Sequence, residues 1–180
     1  MWGTRGQPDA ATRDVLRAAL VLAVSALDGF LHDRIALDLS AALRRAPPPP
    51  RLLEEVKKYR EPAQILKWMA TEDPAGAFAE TILEGFETAA FQNPGRTEYG
   101  VSLLGVQDLW PKVGAALDPP LAEADVRKRL SSVIQHRHDI VHRADSRKVT
   151  RDPIVGDIEF IQAVAEAIDK ECEAVAAEDA

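Results

Sequence analysis

A chain of 180 residues, 46% hydrophobic and 28% charged, is long enough to bury a core of its own and has the composition of an ordinary globular protein. Cys172 is its only cysteine, which excludes an internal disulfide and points to a reducing compartment, the cytoplasm; its small and acidic neighbours mark it as a packing thiol. A net charge of −7 argues against loose binding of a polyanion by the chain as a whole.

Residues Met1–Pro8 have no apolar core and no cleavage pattern of a secretory signal, and residues 1–11 read as a mobile arm. Residues 12–177 read as one helical domain. Thr12 is a suitable N-cap for a long first helix to about Arg45, with Val15, Leu16, Leu20, Val24, Leu27, Leu31 and Ile35 at helical spacing. Val21, Leu22, Ala26 and Phe30 widen that stripe almost to a full circle. Such a helix is either the central core helix or presents a second face to another subunit. Its most apolar run, Ala18–Leu27, is roughly half the length of a membrane span.

Pro47–Pro50 stops this helix, and short helical segments follow over Leu52–Tyr59 and from Pro62 to about Ala70. Asp73-Pro74 is a cap followed by proline at the first helical position, opening a helix that ends by Asn93-Pro94-Gly95. One or two short helices are expected between Leu103 and Leu117, and Pro119-Pro120 breaks the chain again. Ala122–Arg143 reads as a helix with Val126, Leu130, Val133, Ile134, Ile140 and Val141 inward. A polar loop or small hairpin, Ala144–Pro153, precedes a last helix capped by Asp157, with Ile158, Ile161, Val164, Ala165 and Ile168 inward. No stretch alternates with the period of a strand. The expected architecture is an all-α bundle of five to seven helices with a long first helix.

The chemistry concentrates in His136-Arg137-His138-Asp139-Ile140-Val141-His142-Arg143-Ala144-Asp145, where three of the four histidines fall within seven residues. Imidazole gives and takes protons near neutral pH, and guanidinium offers a fixed positive fork to phosphate oxygens. Residues 127–151 carry eight Lys/Arg against two acids, a basic island on an acidic body. Arg137 lies four residues from both Val133 and Val141, so it points partly inward and needs a partner or a cleft. Asp28, which interrupts the apolar face of the first helix, is one candidate partner; the alternative is that each group reaches solvent. Arg137 and His142 are roughly 140° apart around an ideal helix. They meet only through the long arginine side chain, a distorted helix end, or a second copy of the chain.

Arg137-His138-Asp139-Ile140-Val141-His142 resembles the R-x4-H signature of the HEPN superfamily, and Arg137–Asp145 looks like the RiboL-PSP type, in which the phrase RN-x-I-V-H-x-x-D is typical. His138 stands where that phrase usually has Asn. The resemblance extends to Thr12–Ile35, Phe91-Gln92-Asn93-Pro94 and Leu109-Trp110, and so covers roughly Thr12 to Val175. It implies a helical bundle that pairs about a two-fold and cuts RNA without a metal or other cofactor, in a toxin–antitoxin or phage-defence setting. On this chain it implies that His142 is the general acid/base, that Arg137 holds the scissile phosphate, and that His138 is an auxiliary catalytic group. The RNA 2′-hydroxyl would attack, leaving a 2′,3′-cyclic phosphate and a 5′-hydroxyl. Some members carry a modified tyrosine two residues after the histidine; Ala144 stands there. Arg143, Arg147 and Lys148 are candidates for guiding RNA, with Asp28 and Asp145 in support, and an antitoxin or other partner protein is open.

Two other readings stay open. One is a catalytically silent module of the same fold that dimerises or scaffolds a complex. The other is a zinc site on His138 and His142, which are i,i+4, with Asp139 or Asp145 contributing. Trp68, Trp110, Phe78, Phe86 and Phe91 read as packing residues.

Overall fold

The computed structural model describes residues 8–59, 61–86, 90–143 and 150–177. These form eight helices and no strand: α1 (Ala10–Arg44), α2 (Pro50–Val56), α3 (Pro62–Met69), α4 (Pro74–Glu84), α5 (Pro94–Ser102), α6 (Leu109–Ala116), α7 (Glu123–Arg143) and α8 (Arg151–Ala177). The all-α bundle led by a long helix is as expected, with one helix more.

Asp9, not Thr12, opens α1. Its carboxylate accepts the Thr12 N–H at 2.7 Å, an N-cap three residues ahead of the expected one. Positions 10 and 11 of the expected arm are therefore helical, and residues 1–7 lie outside the described residues. The inner stripe of α1 (Leu20, Val24, Leu27, Leu31, Ile35 and Leu39) is at most 2% exposed, and each such burial is worth about 1.5–3 kcal/mol. The outer stripe is different. Val15, expected inward, is 68% exposed, and Leu22 and Leu37 are 67% and 71% exposed. An 18-residue window of α1 reaches a mean hydropathy of 1.6, long and apolar enough by composition to cross a membrane, more than the run 18–27 suggested. In this fold α1 is the spine of the core, with a second apolar face left open.

α5 is the element missing from the sequence reading. Asn93-Pro94-Gly95 reads in sequence as a stop, but the Asn93 side chain accepts the Gly95 N–H at 2.9 Å and caps a helix that begins at Pro94. The start of α8 was also misplaced. It begins at Arg151 with Pro153 tolerated in its first turn, so Asp157 lies inside the helix and caps nothing. Residues 144–149 of the expected loop or hairpin lie outside the described residues.

α1 and α8 form the most extensive helix pair and run in the same direction: Arg34 reaches Asp169 at 3.1 Å, and farther along Arg45 and Val175 both close on Gly105. α7 returns antiparallel to α8, with Arg129 over the Phe160 ring at 4.2 Å and His136 beside Asp157 at 3.9 Å. The last turns of α7, the start of α8 and the first half of α1 therefore share one end of the bundle. Trp110, fully buried, and Phe91, Phe78 and Trp68, at most 9% exposed, hold packing positions as expected, and Phe86 packs partly buried against them. Cys172 is 2% exposed, and burial pushes its thiol up to about 11, which fits its reading as a packing residue.

Candidate active site

α7 positions the motif. Val126, Leu130 and Val133 dock its inner stripe on the core, with Ile134 and Ile140 partly buried beside them. Val141, expected inward, is 47% exposed, because the last turn runs beyond the packed surface. Arg137 continues the stripe of Val126, Leu130 and Val133. It is half-buried, and its Nε is enclosed with no hydrogen-bond partner. Among the described residues no carboxylate comes within ion-pair distance of its guanidinium. A half-buried cation without a counter-charge is costly unless a ligand anion supplies one.

The candidate Asp28–Arg137 pair does not form among the described residues. Asp28 Oδ1 instead accepts the Phe91 backbone N–H at 2.7 Å, and the Phe91 ring meets His32 edge-on with centroids 4.7 Å apart. Asp28 thereby ties α1 to the approach to α5, where Thr97 also donates its hydroxyl to the Phe91 carbonyl. Asp28→Ala should lose a charge-assisted hydrogen bond worth about 1.5–3 kcal/mol. Urea unfolding reads this directly.

His138 and His142 are both exposed and lie side by side, ring centroids 4.4 Å apart and planes tilted by 42°. They share the outer face of α7, whereas Arg137 faces inward, so one chain does not place its arginine fork on the imidazole face. His136 is on a third side. It is turned toward Asp157 of α8, whose carboxyl burial pushes up while His136 and Arg129 pull it down.

Asp139 reads in sequence only as a possible contributor to a zinc site. It is 3% exposed, buried in the middle of the motif, and its Oδ1 accepts from Gln135 Nε2 at 3.0 Å. The i,i+4 spacing of Gln135 and Asp139 was the available signal. No group of three His, Cys, Asp or Glu among the described residues could hold a metal ion. The basic island is partly consumed by structure. Arg127 is held by Glu98 at 2.7 Å and Glu123 at 2.8 Å, and Arg129 donates to the Gly156 carbonyl. The side chain of Arg143, and all of Asp145, Arg147 and Lys148, lie outside the described residues.

The described residues form an eight-helix bundle that carries the R-x4-H sequence on α7, the helix before the last. The chain matches the RiboL-PSP-HEPN family over residues 4–174, nearly its whole length, and belongs to that family. Comparison with curated proteins and with solved structures finds no match.

Proposed function

We propose that this protein is a metal-independent endoribonuclease of the HEPN type, acting in the cytoplasm as a homodimer in a toxin–antitoxin or phage-defence role. The observation that carries the reading is the contrast on α7 between the enclosed Nε of Arg137, which has no hydrogen-bond partner among the described residues, and two open imidazoles at His138 and His142. Arg137 takes a phosphate oxygen as its missing counter-charge, and His142 moves the proton of the 2′-hydroxyl. Because the two residues face different directions within one chain, a second copy completes the cleft. The open stripe of Val15, Leu22 and Leu37 on α1 is the apolar surface that such pairing would cover. Arg143, Arg147 and Lys148, at the same end of the chain's motif, add charge for the RNA backbone.

The test is incubation of the protein with single-stranded RNA in EDTA. Cleavage to 2′,3′-cyclic phosphate and 5′-hydroxyl ends, lost in a folded His142→Ala variant, is the expected result. Intact RNA under these conditions, with the dimer formed, would remove the reading. A catalytically silent scaffold of the same fold draws on one observation: Arg137 and His142 lie on different faces of α7. It predicts a dimer that leaves RNA uncut.

A further inference from the structure

We propose that His138 is the general acid of the reaction and His142 its general base, so that one helix turn of a single chain supplies both proton transfers. The assignment rests on the ribonuclease reading above and goes beyond it by dividing the roles. Transesterification needs two proton transfers at two oxygens on opposite sides of one phosphorus, the attacking 2′-oxygen and the departing 5′-oxygen. A lone imidazole serves one of them at a time. The two rings here stand 4.4 Å apart on the same exposed face, a spacing comparable to the span between attacking and leaving oxygens across one phosphorus. Neither ring has a carboxylate partner among the described residues, so neither is committed to a structural ion pair. His136, by contrast, is turned away toward Asp157 and takes no part.

His142 holds the histidine position of the R-x4-H motif, where the ribonuclease reading has it take the 2′-hydroxyl proton, and the neighbouring ring of His138 on the same face is then the group left to serve the departing 5′-oxygen. The step balances without another reactant. Neutral His142 takes the 2′-hydroxyl proton as the 2′-oxygen–phosphorus bond forms. The phosphorus–5′-oxygen bond breaks, and protonated His138 gives its proton to the departing 5′-oxygen. The products are the cyclic phosphate, a 5′-hydroxyl, His142 protonated and His138 neutral, and exchange with water restores the starting pair.

The experiment uses the full chain and two RNA oligonucleotides that differ at one linkage, ordinary or with sulfur replacing the bridging 5′-oxygen. A thiolate leaves without a proton, so that linkage has no need of a general acid. On ordinary RNA both His138→Ala and His142→Ala should be strongly impaired. On the sulfur linkage the His138→Ala deficit should shrink at least tenfold, while the His142→Ala deficit stays. His138→Gln should behave as His138→Ala does, which a role in merely orienting His142 by hydrogen bonding would not produce. Equal deficits of His138→Ala on both linkages overturn the assignment and leave the ribonuclease reading standing. A parent protein that cuts neither linkage overturns both.

Discussion

Arg137→Met is expected to lower RNA cleavage by about 10²–10³-fold, the usual loss when one preorganised charge is removed from a transition state. Yet the variant should be as stable as its parent, or about 1 kcal/mol more stable. The two halves of this expectation have one cause. Arg137 sits on the inner stripe of α7 with its Nε enclosed and without a hydrogen-bond partner among the described residues, and Asp28, the candidate acid on α1, is engaged with the Phe91 backbone. That enclosed Nε carries a desolvation cost of up to about 1–3 kcal/mol, which a phosphate held by the guanidinium would offset. Methionine fills a similar volume without the charge. Cleavage kinetics on a short oligonucleotide and urea midpoints at unchanged slope measure both. A variant destabilised by more than about 2 kcal/mol would mean that Arg137 is a structural residue.

Gly114→Ala should be the most damaging small substitution in the bundle core, at about 2–3 kcal/mol net, or roughly 4–12 °C in Tm for a chain of this size. Two effects oppose each other. Alanine in a helix is favoured over glycine by about 1 kcal/mol. At Gly114, however, an added Cβ would lie 2.2 Å from the Leu121 carbonyl oxygen and 3.3 Å from Val126 Cγ2. The first contact is with backbone, which cannot swing aside. The close approach also carries the Leu121 N–H to the Gly114 carbonyl at 2.9 Å, the bond that folds the Pro119-Pro120 connection back so that α7 can begin. Steric cost wins over propensity. Gly29→Ala is the matched control: nothing lies within 4 Å of its Cβ, and there the propensity gain should appear unopposed. Equal gains in stability for both variants in thermal melts would refute the steric cost at Gly114.

What could be read from the sequence follows from how far each signal reaches along the chain. α1 repeats its apolar spacing over 35 residues, and no local ambiguity survives that length. Asp73-Pro74 and Asn93-Pro94 use the same cap-and-proline grammar, but the second is followed by glycine and by only nine helical residues. Punctuation there outweighs periodicity. The inward aim of Arg137 was legible from Val133, because both lie on one helix. Its partner was not. Asp28 answers to a backbone amide 63 residues away, and a backbone donor leaves no mark on residue type. The basic island misled in part for a related reason: Glu98, which neutralises Arg127, lies 29 residues upstream on α5.

Cys172 gives the α1–α8 pair a property of its own. Its sulfur is sealed beside Arg34, Asp38 and Asp169, and holding the thiol at about 11 keeps it in its unreactive form at neutral pH. Alkylation then requires α8 to lift from α1, so the rate at which this one sulfur is modified clocks the opening of the bundle's longest seam. The chain thus carries a native stopwatch for its own breathing, at a position remote from the imidazoles of α7.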